Sequence, residues 1–297
     1  VARRPKIGFV LGAGSARGWA HIGALRALSE EGVKPDFIAG CSIGALVGAA
    51  FAADRLDRLE TWALALDWKR MLKLMDFGLR GGLIKGGRVR EVFREQFAEC
   101  GFSELPVQFG AVATDLHSGQ EIWLREGNVS DAIGASIAVP GLFRPVLHEG
   151  RYLVDGSVVN PIPVSLCRAM GADIVVAVDL GSDLVGRYVR NDERAPTRTA
   201  PPGFISRFLP RSSTANERRA EPDSSAPSLL ETLMGSINIM QLRIARSRLA
   251  GEPPDVLITP RLGHLGLLDY HRAEVAIAEG RDAVTRMLPA IRNAIPE

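Results

Sequence analysis

Two glycine-rich turns and one aspartate hold the residue types from which an acyl-transfer site can be made. Gly40-Cys41-Ser42-Ile43-Gly44 closes the apolar stretch "DFIAG" and opens the small-residue stretch "SIGALVGAAFAA". A serine at such a junction can be a nucleophile held out of a tight turn; small residues also simply fill a crowded strand–helix junction. Upstream, Gly12-Ala13-Gly14-Ser15-Ala16-Arg17-Gly18 follows the run "KIGFVL". Backbone N–H groups in a loop of this kind can bind an oxygen that turns negative during acyl transfer. Downstream, "YLVDGSVVNPIP" delivers Asp155 at the end of an apolar stretch, before Gly156 and Ser157.

A dinucleotide fold also uses a glycine turn after its first strand, as G-x-G-x-x-G. Gly12 and Gly14 fit that pattern, but Arg17 stands at the third glycine position. The next strand ends in Gly40-Cys41-Ser42, without the acid that would hold a ribose. No nucleotide cofactor is expected, and no metal.

A serine nucleophile needs a base. The chain offers five histidines, His21, His117, His148, His264 and His271, and the carboxylate of Asp155. The order Ser42, Asp155, then His264 or His271 imitates an α/β-hydrolase triad. That fold, however, runs several strands before its nucleophile, and only one precedes the strand of Ser42. His21 falls inside the first helix, His117 in a hairpin turn and His148 in a polar loop. An Asp-Gly pair is by itself an ordinary turn.

Positioning these residues falls to alternating strands and helices. "KIGFVLG" reads as a buried strand and "AHIGALRALSEEG" as a helix stopped by Gly32; "DFIAGC" and "SIGALVGAAFAA" repeat the pair. Short connections of this kind imply parallel pairing in an α/β sheet, with both glycine turns on the same sheet edge. Residues 54–99 read as helical around the loop "GLRGGLIKGG". "VQFGAVATDL" and "QEIWLREG" read as strands around a His-Ser-Gly turn. "SDAIGASIAVPGLF" reads as a helix broken by Pro140 and "RYLVDG" as a strand; "PVSLCRAMGA" and "DIVVAVDL" restore a helix and a strand. Residues 184–227 are rich in Arg, Pro and Ser and read as an unstructured insertion. Residues 228–297 then resume as helix, strand and helix, completing the domain that begins at residues 5–183. Within 62–79, Trp62, Leu66 and Met71 alternate with Lys69, Arg70 and Lys73. An interfacial helix and an ordinary packed one look alike there.

Composition bounds the rest. At 297 residues, with 46% hydrophobic and 24% charged, the chain can build a sizeable core. A net charge of +2 gives no footprint for nucleic acid, which is not expected as a partner. Three cysteines without a C-x-x-C suggest a reducing, cytoplasmic setting rather than a disulfide framework or zinc site. Arg3 and Arg4 precede an apolar run, but Gly12 and Gly14 break it before it reaches the length of a secretory segment. No apolar stretch approaches the roughly 20 residues of a membrane span, so any membrane contact is expected to be peripheral, at the inner face. Nothing in the sequence sets an oligomeric state.

Taken together, "KIGFVLGAGSARGWAHIGAL", "GCSIGALVGAAFA", "ASIAVPGLFRPV" and "YLVDGSVVNPIPVSLCRAMGADIVVAVDL" resemble the patatin-like phospholipase family, in its bacterial branch related to neuropathy target esterase. The resemblance implies a mainly parallel α/β sheet with helices on both faces and a lipid or lysophospholipid acyl ester as substrate. It implies Ser42 as nucleophile and Asp155 as base, with no histidine. Gly40, Gly44 and Gly156 support the motifs. The oxyanion hole falls to the N–H groups of Gly14 and Ser15, with Gly12, Ala16 and Arg17 as further members of that loop. Two departures stand out. Ala13 and Ser15 replace glycines of the loop, and Ser157 follows Asp155-Gly156 where the family ends in Gly or Ala. A general carboxylesterase, and a regulatory or binding protein on the same fold, are the competing readings.

Overall fold

The computed structural model describes residues 3–67, 70, 91–92, 94, 100–182 and 229–295. The sequence expectations for the insertion at 184–227, and for most of 68–99, lie outside these residues.

Strand β1 (Ile7–Leu11) is buried along its whole length, as is β2 (Phe37–Cys41). Strands covered on both faces read as unbroken apolar runs rather than alternating ones. Between them, α1 (Ala20–Glu30) ends where Gly32 adopts φ 77° and the Gly32 N–H meets the Ser29 carbonyl. Helix α2 (Ile43–Ala52) follows β2 directly, and α3 (Leu56–Leu64) comes next. Further along are β3 (Gln108–Asp115), β4 (Glu121–Leu124), α4 (Val129–Ser136), β5 (Val146–His148) and β6 (Arg151–Asp155). The chain continues as α5 (Val164–Ala169), β7 (Ile174–Val178), α6 (Leu229–Gly251), β8 (Val256–Ile258) and α7 (Ala273–Ala294).

All eight strands join one sheet, connected in the order β5-β6-β3-β2-β1-β7-β8 with β4 added on β3. The pairs β3–β2, β2–β1, β1–β7 and β7–β8 are parallel; β3–β4, β3–β6 and β5–β6 are antiparallel. Side chains alternate between two cores, as strand geometry requires. Phe9 and Leu11 of β1 point into a core that includes Ile22 and Leu25 of α1, Val47 of α2 and Ile277 of α7. Val10 points the other way, among Leu166 of α5 and Ala245 of α6. Helices therefore cover both faces.

Register on β3 decides where the site forms. Ala111 and Val112 pair with both β2 and β4, so those two strands occupy opposite edges of β3. Ala113 and Thr114 pair with both β4 and β6, so β6 also lies opposite β4. Strands β2 and β6 thus share one edge and run toward each other end to end. Cys41 sits across from Val112 and Asp155 across from the next residue, Ala113.

Two local expectations change. His148 is the last residue of β5, paired with Arg151, rather than part of a polar loop. Helix α4 stops at Ser136, before Pro140 can break it, and the Ala138 carbonyl instead accepts the N–H of Asp155 at 2.9 Å. Pairing to the sheet replaces the helical bond there.

Candidate active site

Ser42 sits between β2 and α2 with φ 56° and ψ −126°. Few non-glycine residues hold such a conformation, which costs on the order of 1–3 kcal/mol and persists only where surroundings enforce it. The enforcement is visible. The Ser42 carbonyl already accepts from the N–H groups of Ala45 and Leu46, starting the helix. Its N–H donates to Ser136 Oγ at 3.0 Å, and the Ser136 hydroxyl donates onward to the Val112 carbonyl at 2.7 Å. The flanking glycines are steric requirements. A Cβ on Gly44 would lie 2.1 Å from the Leu11 carbonyl oxygen, and one on Gly40 2.5 Å from the Ala45 Cα.

Asp155, fully buried, meets this serine from the facing strand end. Ser42 Oγ donates to Asp155 Oδ2 at 2.6 Å. The Ser157 N–H donates to Oδ1 at 2.8 Å, and the Ser157 hydroxyl also bonds to the carboxylate. The Asp155 backbone is held as well, because its carbonyl accepts from Thr114 Oγ1 at 2.9 Å. Gly156 lets the turn close, since a Cβ there would lie 2.2 Å from the Val112 carbonyl oxygen. Burial pushes the Asp155 carboxyl up from an ordinary 3.8 to about 6, against the opposing pull of the Ser157 and Ser42 hydrogen bonds. Cys41 Sγ lies 4.0 Å from Oδ1; burial, with the Asp155 charge second, pushes that thiol well above its usual range. It is no rival nucleophile near neutral pH.

The first glycine loop lies against this elbow: the Gly12 carbonyl is 2.7 Å from a Cβ position on Gly44, and Ile43 blocks a Cβ on Gly18. Its backbone donors can be counted. Gly12 N–H donates to the Val178 carbonyl, Ala13 to Pro161, Ala16 to Leu267 and Arg17 to Gly14. The N–H groups of Gly14 and Ser15 meet no acceptor among the described residues. Ser15 has φ 51°, a left-handed conformation that follows Gly14. Arg17 is buried and its Nε donates to the Leu265 carbonyl at 3.1 Å, so it ties the loop to the C-terminal segment. Trp19 Nε1 makes a matching bond to the Tyr270 carbonyl at 3.1 Å. Trp19 also stands edge-on to Trp62 and Tyr270, each at 6.0 Å between centroids. Trp62 therefore packs inward on the loop's own support.

Of the sequence candidates, Ser42 and Asp155 come together, with the Gly14–Ser15 turn beside them. The histidines do not join. His117, His264 and His271 are exposed, and His148 is half-buried on β5. His21 is fully buried, its Nε2 donating to the Gly12 carbonyl at 2.8 Å; burial lowers its pKa to about 4 and keeps it neutral. It braces the loop. Ser136, Tyr270 and Gln241 are site residues that sequence reasoning did not single out. Tyr270 hydrogen-bonds the Ser15 side chain, and burial pushes its phenol up to about 12. Gln241 Nε2 donates to Ser157 Oγ at 2.6 Å. Ser136 falls inside the quoted "ASIAVPGLF"; Gln241 stands in a long helix and Tyr270 at the start of a short 3-10 helix, neither with a local signal.

Residues 9–168 match the family model described as patatin-like phospholipase. The chain belongs to the patatin-like phospholipase family. It is 32% identical to an uncharacterized NTE family protein of Mycobacterium tuberculosis, over 96% of this chain and 92% of that one. It is 27% identical to Lysophospholipase NTE1 of Pyricularia oryzae, over 99% of this chain and 19% of the fungal protein. Among solved structures it is similar to VipD from Legionella pneumophila, at 16% identity and a TM-score of 0.39, covering 63% of this chain and 52% of that one. Family membership makes this patatin-like chain a hydrolase of lipid ester bonds. Among its described residues no helix is long and apolar enough to cross a membrane.

Proposed function

We propose that this chain cleaves fatty-acyl esters of phospholipids or lysophospholipids through a Ser42–Asp155 dyad. The observation that carries the reading is the 2.6 Å hydrogen bond from Ser42 Oγ to a fully buried carboxylate, made from an enforced positive-φ turn. In the first step Ser42 Oγ attacks the ester carbonyl carbon and its proton passes to Asp155. The N–H groups of Gly14 and Ser15, which meet no acceptor among the described residues, hold the oxyanion. The leaving alcohol or lysolipid takes the proton from Asp155 as the C–O bond breaks, leaving an acyl-serine. Water then attacks the acyl carbon, again losing its proton to Asp155, and the fatty acid departs as Ser42 recovers its hydrogen. A carboxylate with a pKa of about 6 is a better base for this work than one at 3.8.

The lipid class rests on the family and on the fungal relative named a lysophospholipase. Peripheral contact with a membrane goes with such a substrate. The test compares wild type, Ser42→Ala and Asp155→Ala on short p-nitrophenyl esters and on lysophosphatidylcholine. Loss of roughly 10⁴-fold or more in kcat for both variants is expected. A preference for lysophosphatidylcholine separates a lipase from a general carboxylesterase. His264→Ala and His271→Ala are expected to retain full activity; loss in either would return the triad reading.

A further inference from the structure

Asp155 receives hydrogen bonds at both oxygens, and the set at Oδ1 continues beyond the dyad. Ser157 is buried and supplies two donors to the carboxylate, its N–H and its hydroxyl. A hydroxyl has one proton and two lone pairs. With the proton committed to Asp155, Gln241 can face Ser157 only with its NH2 end, and Nε2 stands 2.6 Å from the hydroxyl oxygen. A donor on that oxygen polarises the O–H and strengthens its bond to the carboxylate. Gln241 is carried by α6, which is fixed over the site independently. Ala245 is buried in the second core, Arg248 Nε donates to the Val159 carbonyl at 3.3 Å, and Arg248 also pairs with Glu121 of β4.

We propose that Gln241 and Ser157 are positioning residues that hold the ionised Asp155 carboxylate facing Ser42. The inference rests on the dyad reading and deepens it. It also accounts for the serine at 157, where the family resemblance implied Gly or Ala. Cys41 and Ser42 face Asp155 from the end of β2, Thr114 from β3 and Ser157 from the turn after β6. The Tyr270 phenol feels the Asp155 charge from the C-terminal segment. Among the described residues, the groups that favour the ionised carboxyl are the neutral donors of Ser157 and Ser42, with no lysine, arginine or histidine beside them.

The experiment is the pH profile of kcat/KM, on a soluble p-nitrophenyl ester from pH 4.5 to 9. It uses wild type, Ser157→Ala, Gln241→Met and the double variant. Removing donors from a carboxylate raises its pKa. The acid limb is expected to move up by about one pH unit in Ser157→Ala and by about half a unit in Gln241→Met. At pH 5 that means a loss of about tenfold and about threefold, with little change at pH 8.5. The double variant is expected to match Ser157→Ala, because Gln241 acts only through Ser157. Ser157→Gly serves as a second variant if alanine perturbs folding, judged by Tm at pH 8.5. A limb that stays in place, or a Gln241→Met effect undiminished when Ser157 is absent, overturns the proposal. Ser42→Ala and Asp155→Asn are run alongside. If they retain activity the dyad reading fails; if they are inactive while the limb stays fixed, only the positioning role fails.

Discussion

Replacing Asp155 by asparagine is expected to stabilise the protein in a pH-dependent way while abolishing activity. Burial raises the Asp155 carboxyl from 3.8 to about 6, so the folded state binds its proton more tightly than the unfolded chain does. A carboxyl with a raised folded pKa gives its full stabilisation below the unfolded value and loses it as pH climbs through the folded one. The shift of about two units is worth ~3 kcal/mol at about 1.36 kcal/mol per unit, lost between about pH 4 and pH 7. His21 works in the opposite sense over an overlapping window. Its pKa falls from 6.5 to about 4, so its contribution is present above the upper value and lost as pH drops through the lower. The two nearly cancel in the wild-type curve, which alone would show little. The difference between Asp155→Asn and wild type removes His21 and every constant effect of the swap. Measured by urea unfolding, or by Tm where unfolding is irreversible, that difference is expected to shift toward the variant by ~3 kcal/mol, or about 5 °C, from pH 4 to pH 7.5. A difference independent of pH would refute the reasoning: Asp155 would then not be a carboxylate strained by burial.

His21→Gln keeps a donor near the Gly12 carbonyl but cannot titrate, so it is expected to gain relative stability as pH falls from about 6.5 to 4, read in the same unfolding series. Ser136→Ala leaves the Ser42 N–H and the Val112 carbonyl without their shared partner in a buried site; a loss of about 1–3 kcal/mol in stability and a lower kcat at unchanged KM are expected from urea curves and ester kinetics. Gly44→Ala drives a methyl to 2.1 Å from the Leu11 oxygen, which is backbone and cannot yield as a flexible side chain would; little folded protein is expected, checked by Tm and soluble yield. Arg17→Met removes a buried side chain's bond to the Leu265 carbonyl and is expected to lower kcat by loosening the loop, with activity on short esters as the assay.

Much of the site was legible from neighbouring residues because its parts are local devices. A glycine on either side of Ser42 marks a turn that packs backbone on backbone, and the buried runs before Gly12 and Ser42 read as strands because both faces are covered. The motif before Gly156 ends a strand for the same kind of reason. Three things were not legible. The sequence shows no rule by which β6 runs antiparallel against the same β3 edge that ends β2; that choice brings Ser42 to Asp155 across a sequence separation of 113. The support of the Gly12–Gly18 loop by Leu265, Leu267 and Tyr270 comes from the far end of the chain. Gln241 looks like any polar residue on a helix until α6 is laid over Ser157.

By itself, then, the amino-acid order determined which residues can react and the turns that present them, since turn geometry and strand burial depend on neighbours within a few positions. Only the tertiary structure decided which presented groups meet. Strand register and helix docking are set by packing across the whole sheet, and a shift of one residue on β3 would turn Asp155 to the other face.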